Sequence, residues 1–138
     1  MKQIVLGIFV SVVLSVNVRA QSSTNDIESL LNSMSLEEKI GQMTQVTLDI
    51  VTVPNSSPIR LDESRLREAI ITNMVGSILN TGVNHALTLD EWRYVITTIQ
   101  DMARTNTPHK IPIIYGIDSI HGATYVQGAT LFPQNLPM

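Results

Sequence analysis

The sequence predicts an α/β fold built on parallel β-strands. Residues 110–117, Lys-Ile-Pro-Ile-Ile-Tyr-Gly-Ile, form an apolar run typical of a strand that is buried on both faces. A second apolar segment, residues 74–79, lies upstream and stops at Asn80-Thr-Gly82, and a helical pattern separates the two segments. A strand, a helix and a strand in this order form a βαβ unit with parallel strands. The unit alone does not separate an open doubly wound sheet from a closed barrel.

The first twenty residues have the features of a cleaved secretory signal. Lys2 gives a positive end, residues 4–16 are largely apolar, and Val18-Arg19-Ala20 precedes a cleavage point before Gln21. The alternative is a membrane anchor, but the apolar segment is shorter than the roughly 20 residues that a spanning helix needs. We therefore expect a periplasmic or secreted protein that has no stable membrane anchor and whose folded part is residues 21–138.

Composition and charge exclude several classes of function. The chain is 43% hydrophobic and 15% charged, which is typical of one globular domain or part of one. Without its first twenty residues it carries seven basic and twelve acidic residues, so we expect no nucleic-acid partner. The absence of cysteine excludes disulfides and a thiol nucleophile. His85 and His109 have no partner at metal-ligand spacing and no phosphate-binding loop follows a strand, so we expect no metal and no cofactor.

Capping residues predict where four helices begin. Caps at residues 23–25 precede a first amphipathic helix, and Asp62 precedes a third. Residues 35–38 and 88–91 both have the capping-box pattern, in which a Ser or Thr and a Glu bond each other's backbone N–H groups. We expect the fourth helix to end before Pro108, because the residue before a proline avoids the helical region.

The second and fourth helices carry apolar stripes. In the second helix, Leu36, Ile40 and Met43 fall on one face, which we expect to be buried, and residues 37–39 are expected to face solvent. Trp92 lies on the stripe of the fourth helix, which favours packing against the sheet over stacking on a ligand. Between the second and third helices, residues 46–53 alternate only weakly, and residues 54–58 are a loop by composition.

Asp118 is the leading candidate for a binding residue. It follows the apolar strand directly. In α/β folds the binding groups lie at this carboxyl end, because the loops that leave it form the pocket. The alternative is that Asp118 only caps the turn after the strand.

The residues around Asp118 resemble a known family. Gly116-Ile-Asp-Ser-Ile-His-Gly122, followed by Gly128-Ala-Thr-Leu-Phe-Pro-Gln-Asn135, is similar to the motifs Gly-Ile-Asp-x-x-His-Gly and Gly-Ala-Thr-x-Phe-Pro-x-Asn of glycoside hydrolase family 3. That family contains β-glucosidases and β-xylosidases. Residues 34–43 resemble its opening helix, and residues 75–79 resemble its first barrel strand. The resemblance implies the N-terminal part of a (β/α)8 barrel, incomplete in this chain because such a barrel takes about 250 residues.

The resemblance also implies an activity, that of a retaining, exo-acting β-glycosidase, in particular a β-glucosidase acting on oligo- or aryl-β-glycosides without a cofactor. Such hydrolysis needs two carboxyl groups about 5–5.5 Å apart. In the family, both the nucleophilic aspartate and the acid/base glutamate come from segments that this chain does not contain. Asp118 matches instead the aspartate that binds sugar hydroxyls. His121, Gly122 and Tyr125 are candidates for the loop that lines the site, and for His121 a role in holding the loop is favoured.

Two other classes remain open. A secreted carbohydrate-binding or interaction module would fold alone and would bind sugar without cleaving it. A non-catalytic relic of a glycosidase would lack the later aspartate. The 138 residues on their own are expected to leave strand edges and an apolar face of the sheet uncovered. The sequence does not separate glucoside, xyloside and N-acetylglucosaminide substrates, and it leaves the oligomeric state open.

Overall fold

The structure is a computed structural model that describes residues 21–119 and 121–132. The predicted signal at residues 1–20 lies outside these residues, as do Ile120 and residues 133–135 of the second family motif. Contacts divide the chain into two units with the boundary after Asn32. In the described part of the chain, no helix is both long and apolar enough to cross a membrane.

Helix α1 (Gln21–Ser33) makes up most of the described part of the first unit. The predicted helix is therefore present, but the expected caps at residues 23–25 lie inside it rather than before it. The backbone that precedes them is already helical, so they cannot take the extended conformation that an N-cap requires.

The second unit contains three parallel strands and their connecting helices. The elements that follow α1 are α2 (Leu36–Gln42), β1 (Gln45–Thr47), a 3₁₀ helix (Leu48–Val51), α3 (Glu63–Arg67) with a π-helical turn (Glu68–Thr72), β2 (Ser77–Leu79), α4 (Leu89–Asn106) and β3 (Ile114–Gly116). The strands lie in the order β1-β2-β3, and both neighbouring pairs are parallel. The predicted parallel α/β order is confirmed.

The segment expected to be the first strand is the second one. Residues 75–79 contain β2, and β1 lies before it at Gln45–Thr47. Strand β1 was not predicted, because a strand of three residues is too short to show an alternating pattern. The other predicted strand is also shorter than its apolar run, since only Ile114–Gly116 of residues 110–117 pair with β2.

Helices cover one face of the sheet. Val46, Ile78 and Tyr115 are level with one another in the register, and Ile78 is fully buried. Trp92 of α4 packs against this core and meets the ring of Tyr115 edge-on, with 5.8 Å between ring centroids. The expected packing of Trp92 is confirmed. The buried residues of this core include Leu48, Val51, Leu66, Ile70, Val95, Ile99 and Ala103.

The other face of the sheet is more open. Ile114 is 73% exposed, and Ser77, which is level with it in β2, is half-buried. The expectation that residues 110–117 are buried on both faces is therefore wrong: Pro112 and Ile114 are exposed, and only Ile113 of the run is buried. Neighbouring residues of a strand point to opposite faces, and α3 and α4 pack on the face that holds Tyr115.

Helix α2 begins as predicted but faces the opposite way. Its capping box, Ser35 with Glu38, is present. However, Leu36, Ile40 and Met43 are more than half exposed. The expected buried face is therefore exposed.

The face of α2 that packs against the start of β2 carries small and polar residues. The Gly41 carbonyl accepts a hydrogen bond from Gly76 N at 2.9 Å, and Gln42 Nε2 donates to the Met74 carbonyl at 3.1 Å. Glu38, predicted to face solvent, keeps only 12% of its side chain exposed and pairs with His109 at 3.4 Å. These contacts bring the backbone of α2 against the start of β2, which only a face of small and hydrogen-bonding residues permits.

The remaining caps agree with prediction. Asp62 caps α3 by accepting from Arg65 N, and the capping box of Thr88 and Glu91 begins α4. Helix α4 ends at Asn106, before Pro108. Its Gln100 accepts from Ile113 N and donates to Ile113 O, at 3.1 and 2.7 Å. This pair of bonds attaches the middle of α4 to the residue that precedes β3.

We expect Gly76→Ala to destabilise the protein by about 2 kcal/mol or more, because overpacking forces the backbone to shift. A Cβ at Gly76 would lie 2.1 Å from the backbone oxygen of Gln42. Gly116→Ala is the matched control, since its Cβ would meet only the flexible end of Leu79, at 3.1 Å. Thermal unfolding of both variants measures the effect, and an equal loss in the two would contradict this account.

Glu91 also holds the segment that precedes α3. Its Oε1 accepts from Ile59 N at 3.1 Å, and its Oε2 accepts from Thr88 N at 2.9 Å. These bonds, that from Thr88 first, hold the pKa of Glu91 below its ordinary value of 4.5. A carboxylate with a lowered pKa stabilises the fold above its unfolded-state pKa and loses this contribution as the pH falls through its folded-state pKa.

We therefore expect the stability gap between the wild type and Glu91→Gln to depend on pH. The wild type should melt at the higher temperature at about pH 6. The gap should shrink as the pH falls below about 4.5, where Glu91 of the unfolded chain begins to take up a proton, and it should be lost as the pH falls through the lower pKa of Glu91 in the folded protein. Melting temperatures measured across this range test the prediction. A gap that is the same at every pH would show that the charge of Glu91 does not matter.

Candidate functional site

The carboxyl ends of β2 and β3 bring two polar side chains together. Asn80 directly follows β2, and Asp118 lies two residues after β3. Asn80 Nδ2 donates to Asp118 Oδ2 at 2.9 Å, and Asp118 N donates to Asn80 Oδ1 at 3.0 Å. The carboxyl group of Asp118 is exposed at this edge of the sheet. Asp118 therefore lies at the rim where α/β folds bind ligands.

Asn80 is the site residue that the sequence analysis missed, because it was treated only as the end of a strand. The signal was present: Asn80 follows one buried strand as Asp118 follows the next. The sequence did not predict that the two strands are neighbours in the sheet. This neighbourhood brings their carboxyl ends together.

Several contacts fix the backbone of Asn80. Its φ angle is 61°, in the left-handed region that asparagine tolerates better than most residues. Its N–H donates to the Gly116 carbonyl at 2.9 Å, and its carbonyl accepts from the Tyr115 hydroxyl at 2.5 Å. Burial raises the pKa of Tyr115, so the phenol keeps the proton that it donates.

The predicted site loop is closed at its ends by backbone bonds. Phe132 N donates to the His121 carbonyl at 2.9 Å, and Gly122 pairs with Leu131 in an antiparallel bridge. Gly122 has a φ of 83°, and a Cβ there would lie 2.9 Å from the Thr130 carbonyl oxygen. Gly122 thus meets a steric requirement of the loop, and His121 closes the loop through its backbone.

Tyr125 lines a cleft beside the Asn80–Asp118 pair. Its carbonyl accepts from Leu87 N and from Trp92 Nε1, both at 2.9 Å, so the loop is attached to the start of α4. The cleft has a volume of about 540 Å³. Its walls are mostly polar and consist of Asn80, Thr81, Val83, Asn84, His85, Ala86, Thr124 and Tyr125.

The histidines outside the loop do not form a metal centre. His85 is exposed in the cleft wall, and His109 pairs with Glu38 beside a small cavity near the opposite, amino ends of β2 and β3. Among residues 21–119 and 121–132, no three His, Asp or Glu side chains are grouped so as to hold a metal ion.

Parallel strands joined by helices define an α/β protein, and the carboxylate and the amide at their carboxyl ends form its candidate site. The sequence profile of the family "Glycosyl hydrolase family 3 N terminal domain" matches residues 35–138. The chain belongs to this family, and the resemblance found in the sequence is confirmed. A lysosomal beta glucosidase of Dictyostelium discoideum is 43% identical to the chain over 116 residues. The match covers 79% of this chain and 14% of that relative.

Proposed function

We propose that residues 21–138 are the first part of the catalytic (β/α)8 barrel of a longer retaining β-glycosidase, in particular an exo-acting β-glucosidase. It would remove terminal, non-reducing glucosyl residues from oligo- or aryl-β-glucosides. The observation that carries the proposal is the exposed carboxylate of Asp118, held at the carboxyl end of β3 in a chain of a glycosyl hydrolase family. The similarity to a β-glucosidase supports the choice of substrate.

In this proposal Asp118 binds the sugar and does not attack it. An ionised carboxylate offers about four acceptor positions, and Asn80 occupies one, on Oδ2. The others can accept hydrogens from two sugar hydroxyls in charge-assisted bonds, which are stronger than neutral ones. Such bonds orient the ring, and those that strengthen in the transition state increase the rate. The nucleophile and the acid/base, which must lie about 5–5.5 Å apart, would come from later segments.

We also propose that the protein is exported to the periplasm or the exterior, with residues 1–20 as its cleaved signal. Support comes from the positive end, the apolar segment and the short residues before Gln21. The lysosomal location in the name of the similar enzyme agrees with export from the cytosol.

Replacing Asp118 in the full-length protein tests its role. We expect Asp118→Ala to lower kcat/KM for an aryl β-glucoside by about 100-fold or more, since each lost bond to a charged group is worth about 1.5–3 kcal/mol. Asp101→Ala, at an exposed position of α4, is the matched control and should leave the kinetics unchanged. Unchanged kinetics for Asp118→Ala would show that Asp118 does not bind the sugar.

The 138-residue chain by itself should not hydrolyse an aryl β-glucoside, because the proposal assigns both catalytic carboxyl groups to other segments. The measurement is the release of the aryl alcohol by the purified chain. Detectable hydrolysis would show that this assignment is wrong. A chain that melts cooperatively and binds glucose without cleaving glucosides would favour the carbohydrate-binding module instead.

A further inference from the structure

We propose that Asn80 is a positioning residue of the sugar site, which sets the orientation of the Asp118 carboxylate. This inference rests on the function proposed above and names a second residue on which that site depends. The sequence motif that indicated Asp118 does not contain Asn80, which lies 38 positions upstream in the chain.

Asn80 holds Asp118 at two points. The Asn80 amide donates to Asp118 Oδ2 and accepts from Asp118 N. One bond to a carboxylate would leave that carboxylate free to swing about the contact. Two bonds, one of them to the backbone of the same residue, link the carboxylate to its own main chain through a single planar amide. The orientation of that amide is also determined, since exchanging its oxygen and nitrogen would break both bonds.

Asn80 is itself held by β3. Its N–H and its carbonyl are both bonded to β3, at Gly116 and Tyr115. The Tyr115 ring in turn packs edge-on against Trp92 of α4. The amide that holds Asp118 is therefore connected to the core of the sheet, although Asp118 itself is exposed.

The orientation of the Asp118 carboxylate affects the free energy of ligand binding. An exposed aspartate samples several rotamers, and ordering such a side chain when a ligand binds costs free energy. A carboxylate that is already oriented avoids most of this cost, and it is aligned with the hydroxyls whose bonds must strengthen in the transition state. Loss of the amide should therefore weaken the binding of sugar without removing the charge that binds it.

The alternative is that Asn80 only supports the turn after β2. Asn80→Gly separates the two roles, because glycine keeps the left-handed backbone without strain and removes only the side chain. Asn55→Gly is the matched control, since Asn55 is another asparagine with a left-handed backbone, at φ 57°, and it is exposed. A role confined to the turn predicts full activity for Asn80→Gly.

The experiment is kinetics of the full-length protein on an aryl β-glucoside. We expect Asn80→Gly to lower kcat/KM about 10-fold, with a rise in KM, and Asn55→Gly to leave it unchanged. In an Asp118→Ala background, Asn80→Gly should change kcat/KM by less than about twofold, because residues that act as a unit are not additive. Asn80→Asp keeps the shape of the side chain and removes the donor. It should lower kcat/KM at least as much as Asn80→Gly, and it replaces the glycine variant in the test if that variant does not fold.

The outcomes separate this inference from the proposed function. If Asp118→Ala loses activity while Asn80→Gly and Asn80→Asp keep it, the inference is overturned and the function stands. If the loss from Asn80→Gly is the same with and without Asp118, Asn80 acts independently and the inference is overturned. If the wild type does not hydrolyse glucosides, or Asp118→Ala is fully active, the proposed function and the inference are both overturned.

Discussion

The parallel pairing of β2 with β3 is the constraint on which the site depends. Because the two strands run in the same direction, the residues that follow them lie at one edge, and the register that pairs Leu79 with Gly116 sets how far each extends. Asn80 N donates to the Gly116 carbonyl directly after this pair. The last backbone hydrogen bond between the two strands therefore also holds the first residue of the site. A shift of one residue in register would separate Asn80 from Asp118 and reverse the faces of the strand.

Helix α4 sets this pairing from the covered face of the sheet. It begins at a capping box, and its Gln100 bonds both backbone groups of Ile113, directly before β3. The side chain thus fixes where the incoming chain starts the strand. At the other end of the helix, Trp92 bonds the carbonyl of Tyr125, so the same helix also positions the site loop. Helix α4 therefore contacts both the residue before β3 and the loop after it.

Features that depend on a few neighbouring residues could be predicted from the sequence. The capping boxes at residues 35–38 and 88–91 and the place of Asp118 after a strand are of this kind. The features that were missed depend on contacts between distant segments. The buried face of α2 is decided by the close approach of Gly41 to Gly76, which outweighs the apolar stripe of the helix. Asn80 could not be linked to Asp118 without knowing that their strands are neighbours.

Two carboxylates of the second unit differ in how many of their oxygens the chain engages. Both oxygens of Glu91 accept hydrogen bonds from the chain, from Ile59 N on one side and from Thr88 on the other. Asp118, in the described part of the chain, has only Oδ2 engaged, by Asn80. Three of the roughly four acceptor positions of Glu91 hold the chain, whereas the one bond to Asp118 leaves most of its acceptor positions free. The arrangement at Asp118 is therefore what a sugar-binding carboxylate requires: the protein fixes its direction and leaves its acceptor capacity free.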